Sequence, residues 1–297
     1  MSTAWRNIQY ESFEKAMVGL KESISAIQAK RLNVVLVGHT GAGKSCFINS
    51  ICSISRGRIV NVASTRNATS GDVGTYQLTL IKSRKGELLQ NVFLYDTMGF
   101  TGTFDDDEKG IGNEDLRDVC LGRLKKGHTF VSKADGGKRD TMKDTSAYRS
   151  SNAEEPENQC AADNDARKPH CVVFVVSAET LTQDTDTVIQ KKLRKLYTYV
   201  PQDVAKIAVI TKLDRVCDDV HKDIKNIFTS NEVQKAVKRA EEVFGLQENQ
   251  VFPIVNFVSD MDVENDKGVP MLYALKFILS SALDRAEERE ESSDEDD

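Results

Sequence analysis

Short apolar runs alternate with amphipathic stretches along most of this chain. Arg31 to Val37, Asn91 to Tyr95, Cys171 to Val176, Ala205 to Ile210 and Gln250 to Val255 are rich in Val, Ile, Leu and Phe. Runs of that length and composition read as buried strands. Thr75 to Ile81 alternates more and reads as a further strand. Between them lie stretches of helical spacing: Gly43 to Ile54, Asn113 to Lys126, Thr185 to Val200, two segments across Asp218 to Phe244, and Met271 to Glu290. Before the first strand, Tyr10 to Lys30 places Phe13, Met17, Leu20, Ile24 and Ile27 on one stripe, which predicts an amphipathic helix. The alternation predicts an α/β fold with a mostly parallel sheet, helices on both faces and ligand beyond the carboxyl ends of the strands.

The pattern breaks twice. Residues 132–167 are polar and almost free of aliphatics, too poor in apolar area to order themselves, so they read as a mobile insertion. Residues 287–297 are predominantly acidic and read as a disordered tail. The division is therefore an N-terminal helix over 1–30 packed on the domain, one α/β domain over 31–286, and the tail. An acidic stretch at 105–111 is not a calcium loop, because Lys109 and Leu116 stand where that loop needs oxygen ligands.

Composition narrows the class. The 297 residues carry a net charge of −6 and no basic stripe, which argues against nucleic acid as partner. No stretch is long and apolar enough to span a membrane, and the first residues do not form a signal peptide, so a cytoplasmic protein is expected. The six cysteines include no C-x-x-C pair and read as reduced thiols, and the four histidines are scattered.

The chemistry lies where strands end. Gly38-His-Thr-Gly-Ala-Gly-Lys-Ser45 is a G-x-x-x-x-G-K-S pattern directly after the first strand, the mark of a phosphate loop. Its glycines let backbone N–H groups converge on phosphate oxygens, and the helix that follows directs its positive end at the same anion. Gly38, Thr40, Gly41, Ala42, Gly43, Lys44, Ser45 and Cys46 are the expected phosphate-binding set, with Lys44 on the β/γ-phosphates and Ser45 on Mg²⁺. Asp96-Thr-Met-Gly99 after the third run is a D-x-x-G, in which Asp96 would hold Mg²⁺ and the Gly99 N–H would bond the γ-phosphate. Thr69 is the expected metal-covering threonine, with Thr65 and Thr75 as rivals.

The base is read from Thr211-Lys-Leu-Asp214, which has the form of the guanine motif N/T-K-x-D. A carboxylate there accepts two hydrogen bonds that guanine offers and adenine does not, and it is left unpaired by the wrong base. Lys212 would lay its stem along the base, and Asn256, after the last run, would touch the base edge. These motifs together describe a P-loop NTPase of the small-GTPase-like G-domain type, with GTP or GDP and Mg²⁺ as ligands. Hydrolysis is less well provided for. Phe100 stands where small GTPases place a water-orienting glutamine, and no arginine lies between Gly38 and Ser45. Only Thr69 and His39 offer themselves as catalytic candidates.

The phosphate loop, Thr69-Ser-Gly71, Asp96 to Phe100, the long insertion and the Pro169-His-Cys-Val-Val-Phe-Val175 run that follows it together resemble the interferon-induced protein 44 and 44-like GTPase-domain family. The phosphate loop is also similar to that of immunity-associated GTPases, and Thr-Lys-Leu-Asp to that of dynamins. The resemblance implies a cytoplasmic guanine-nucleotide-binding protein of interferon or antiviral responses, with weak hydrolysis in some members. Two functions follow. One is a GTP-dependent switch whose slow hydrolysis is assisted by a partner or by a homodimer across the nucleotide. The other is a nucleotide-stabilised scaffold without useful turnover. An ATPase or kinase is disfavoured by Asp214.

Overall fold

The computed structural model describes residues 4–6, 12–27, 30–65, 77–100, 111, 113–130, 164, 166–182 and 187–294. Among them, six strands form one sheet: β1 (Leu32–Val37), β2 (Thr79–Lys82), β3 (Val92–Asp96), β4 (Cys171–Ser177), β5 (Ala205–Thr211) and β6 (Val251–Pro253), in the order β2-β3-β1-β4-β5-β6. β2 runs antiparallel to β3 and every other pairing is parallel. This is the G-domain arrangement of a P-loop NTPase.

Both faces are covered because the central strands are apolar on both sides. Val34 and Leu36 point into one core with α1 (Phe13–Ile27), α2 (Lys44–Arg56) and α6 (Asn265–Asp294). Val35 and Val37 point into the other with α3 (Asn113–Cys120), α4 (Val188–Tyr199) and α5 (Asn231–Phe244). Leu20 and Ile24 of α1 are buried as the spacing predicts, while the side chain of Ile27 lies outside the described residues. Phe47, Ile48 and Ile51 seat α2, each contributing about 1.5–3 kcal/mol by burial. The helix whose N-terminus follows the phosphate loop is thereby fixed to the sheet.

Parallel registry brings the strand ends to one rim. Leu36 pairs with Asp96, Val37 with Phe174, Ser177 with Thr211, and Ile210 with Pro253. The phosphate loop, Asp96, Thr211 and Asn256 all lie at or just beyond that rim.

Contacts reach the sheet near both of its edge strands. Just before β2, Leu78 N–H donates to His128 O at 2.8 Å and Gly127 N–H to Leu78 O at 2.9 Å. At β6, Arg6 Nη2 donates to Val251 O at 2.8 Å and also to Glu248 O. Trp5 N–H holds this strap on Phe228 O at 3.1 Å.

Several boundaries differ from those the pattern predicts. The third helix ends at Cys120 rather than Lys126, because the chain turns at Leu121 to Gly122 and then runs along β2. β2 begins at Thr79, and residues 75–76 lie outside the described residues. The acidic run expected to be disordered continues α6 as far as Asp294. Contacts anchor it there: Lys30 Nζ lies 2.6 Å from Glu290 and 3.7 Å from Glu287, and the helix's own Arg289 donates from Nη2 to Pro169 O at 2.8 Å. Most of the expected insertion lies outside the described residues. Its end is held, since Arg167 Nε donates to Gly122 O at 2.9 Å and Asn33 Nδ2 to Ala166 O at 3.0 Å.

Candidate functional site

The phosphate loop runs from Gly38 to Gly43 between β1 and α2. Gly43 caps α2 with φ 95°, a left-handed conformation that favours glycine, and a Cβ there would meet Asn256 Nδ2 at 3.1 Å. Lys44 is buried and folds back over the loop, its Nζ donating to Gly38 O at 3.1 Å and His39 O at 3.2 Å. Burial lowers its pKa to about 8, against the pull of Asp96. An anion at this spot would raise it again.

Ser45 and Asp96 form the metal-facing pair. Ser45 Oγ donates to Asp96 Oδ2 at 2.6 Å, while Asp96 Oδ1 is buried with no hydrogen-bond partner among the described residues. Burial raises the Asp96 pKa, and Lys44 and the Ser45 hydroxyl oppose that shift. A carboxylate oxygen left over beside a hydroxyl fits Mg²⁺, which takes hard oxygen ligands and few of them from protein. Bound there, the ion would be held by Asp96 and Ser45 and would neutralise phosphate charge. Of the threonines expected to cover it, Thr69 and Thr75 lie outside the described residues, and Thr65 is exposed where the described segment ends.

The D-x-x-G segment is bound tightly to the loop. Thr97 Oγ1 donates to Leu36 O at 2.7 Å, Met98 and Phe100 are buried, and Thr40 N–H donates to Phe100 O at 2.8 Å. Gly99 lies so close that a Cβ on it would stand 2.7 Å from both Thr40 N and Thr40 Cα.

Two distant segments join at the other end of the loop. Thr211 Oγ1 donates to Ala42 O at 2.5 Å, and Asn256 Nδ2 to Gly43 O at 3.3 Å. Asn256 Oδ1 is buried without a partner among the described residues. Lys212 has φ 58°, the only positive value among described non-glycine residues, a strained conformation of the kind that collects at functional sites. Its Nζ lies 3.4 Å from Glu179 Oε2, and Arg215 approaches the same carboxylate at 3.8 Å. Asp214 sits in the turn Leu213–Arg215 and has neither a hydrogen bond nor an ion pair among the described residues. Cys46 is half-buried, and burial raises its thiol pKa.

His39 does not face this cradle with a free nitrogen. Nδ1 donates to Thr40 O at 2.8 Å, which leaves Nε2 to accept from Ser177 N–H at 3.3 Å and from Thr180 Oγ1 at 3.2 Å. Burial lowers its pKa to about 4, and Lys44 and Lys212 add to the effect, so the ring is neutral. Its role in the described structure is to tie the loop to the end of β4.

Sequence reasoning missed Ser177, Glu179 and Thr180. The signal was available: they follow the fourth strand, at the rim where ligands bind in such sheets. Among the described residues no cluster of three or more His, Cys, Asp or Glu could hold a metal, and no helix is long and apolar enough to cross a membrane.

Comparison with known proteins agrees with the resemblance read from the sequence. The family model for interferon-inducible GTPases matches residues 2–103. Human interferon-induced protein 44-like is 23% identical over 263 residues, which cover 86% of this chain and 53% of the relative. Mouse interferon-induced protein 44 is 23% identical over 253 residues, 85% of this chain and 55% of the relative. The chain thus spans about half the length of the curated relatives it matches. Among solved structures, a dimerization-deficient mutant of Toc33 from Arabidopsis thaliana aligns at a TM-score of 0.47 and 12% identity, covering 91% of each chain. Toc33 from the same plant in complex with Mg²⁺ and GMPPNP aligns at 0.45 and 11% identity, over 93% of this chain and 97% of that one.

Proposed function

We propose that this chain binds guanine nucleotide with Mg²⁺ and works as a GTP-dependent switch that hydrolyses GTP slowly, in the interferon-induced setting its relatives' names describe. One observation carries the binding reading: Thr211 and Asn256, 169 and 213 residues away from their partners, both bond the phosphate loop. A base-reading turn is thereby stitched to a phosphate cradle, with Asp214 unpaired for the base. Adenine does not offer that carboxylate the pair of donors that guanine does.

Slow turnover rests on what surrounds the γ-phosphate end. Phe100 is 3% exposed and packed in the core, so it orients no water. Both His39 nitrogens are engaged. No arginine lies in the loop to stabilise transition-state charge. The missing groups must come from outside these residues, and a second copy of the chain across the nucleotide is the source we infer.

The buried Phe100 equally favours the second reading, a nucleotide-stabilised scaffold. Single-turnover hydrolysis separates the two. The switch predicts a dilute monomer at or below roughly 10⁻³ s⁻¹, the scale of an unassisted small GTPase, with specific activity rising as protein is concentrated. No turnover at any concentration supports the scaffold, and fast turnover independent of concentration contradicts both.

A further inference from the structure

We propose that Glu179 keeps the base-reading carboxylate open: by holding the ammonium of Lys212 and the guanidinium of Arg215, it prevents either cation from pairing with Asp214 before the nucleotide arrives. The proposal rests on the guanine-nucleotide reading above and deepens it. Glu179 acts through its neighbours and is a positioning residue. No motif names it.

Strand registry brings the groups together. β4 and β5 run parallel, with Ser177 opposite Thr211. The chain leaving β4 forms the short helix Ala178–Leu181, and the chain leaving β5 forms the turn Leu213–Arg215 against it. The two oxygens of Glu179 are divided between two cations of that turn: Oε2 lies 3.4 Å from Lys212 Nζ, and Oε1 lies 3.8 Å from Arg215 Nη1. The same groups lie against the phosphate loop. Burial raises the Cys46 thiol pKa and the charges of Lys212 and Arg215 oppose it, while burial lowers that of His39, with Lys212 adding to the effect and Glu179 opposing it.

Asp214 stands between the two cations in sequence, half-buried, and among the described residues it has neither a hydrogen bond nor an ion pair. A carboxylate with two such neighbours is the natural partner of either. A cation closed on it would have to be displaced before the two guanine donors could bond it, and that displacement would subtract from affinity. Glu179 supplies the alternative carboxylate. It also holds the end of Lys212, whose backbone sits in the left-handed region at φ 58°.

The test is calorimetry of GDP with Mg²⁺ on wild type, Glu179→Gln, Glu179→Asp, Arg215→Gln and the double variant of Glu179→Gln with Arg215→Gln. Each is measured at roughly 0.1 M and roughly 1 M salt, where the screening lengths are about 10 Å and about 3 Å. Glu179→Gln keeps the shape and frees both cations. Exposed ion pairs are weak, so the variant should lose GDP affinity by about three- to fivefold at low salt. The loss should shrink at high salt, and the double variant should recover most of it. Glu179→Asp, which keeps the charge, and Arg215→Gln alone should stay within about twofold of wild type. A defect confined to folding would show neither the salt dependence nor the recovery. Should Glu179→Gln fail to fold, as judged by Tm, Glu179→Ala is read in the same way. Wild-type affinity in Glu179→Gln, or a loss that high salt and the Arg215 change leave untouched, would overturn the Glu179 role while leaving GDP binding by wild type, and so the functional reading, in place. A wild type that binds no GDP would overturn that reading and the proposal with it.

Discussion

The Ser45 hydroxyl lies 2.6 Å from one oxygen of Asp96 and leaves the other oxygen buried and unpartnered. A carboxylate half satisfied in the interior is costly unless something completes it. A divalent cation brought in with phosphate does so. Asp96→Asn keeps the shape and removes the charge, so the gain in GTP-analogue affinity on adding Mg²⁺ should shrink at least about tenfold, the scale of a charged contact. GDP binding in EDTA should change little. Titration with and without the metal checks this.

Lys44 is the one cation inside the loop. Charged hydrogen bonds contribute about 1.5–3 kcal/mol each, so Lys44→Ala should weaken GDP and GTP by a few kcal/mol, provided Tm shows a folded protein. Unchanged affinity would remove the phosphate loop from the account.

The same lysine makes binding depend on pH. Burial holds its pKa at about 8 without an anion, and a phosphate beside it stabilises the charged form. Below pH 8 the free protein already carries the charge, and affinity should be flat in this respect. Above it, binding must take up a proton, so affinity should fall as pH rises from 8 toward 10. Calorimetry at pH 9 in buffers of different ionisation enthalpy should show proton uptake, absent at pH 7.

Much of this was legible in the sequence. The six strands, and the placement of the motif residues at their ends, follow from apolar runs and three short motifs, because a parallel sheet places strand ends on one rim. The expectation for Lys44, Ser45, Asp96, Thr211 and Asn256 needed only that rim. What was not legible depends on contacts between remote residues. His39 could not be told from a catalytic candidate until Ser177 and Thr180 were seen to hold its ring. The acidic end of α6 reads as disordered until Lys30 is seen against Glu290 and the helix's own Arg289 against Pro169. Nothing in the spacing of Trp5 and Arg6 announces that Arg6 bonds the first carbonyl of β6.

That strap gives a stability prediction. Arg6→Ala leaves the buried Val251 carbonyl without its side-chain donor, at a cost of about 1–3 kcal/mol. For a domain of this size each kcal/mol lowers Tm by about 2–4 °C. Nucleotide affinity should change far less. A Tm equal to wild type would show the strap to be dispensable.

The central claim is that Asp214 reads guanine at a site built by the phosphate loop. The most direct measurement is calorimetry of GDP, ADP and xanthosine diphosphate with Mg²⁺ on wild type and Asp214→Asn. The account predicts that wild type binds GDP and rejects ADP by roughly 10⁴-fold, because the wrong base leaves the carboxylate unpaired. The amide of the variant can donate to the oxygen that replaces the exocyclic amine, so Asp214→Asn should lose GDP and gain the xanthine nucleotide. Equal affinity of wild type for GDP and ADP, or a variant that still prefers GDP, would contradict it.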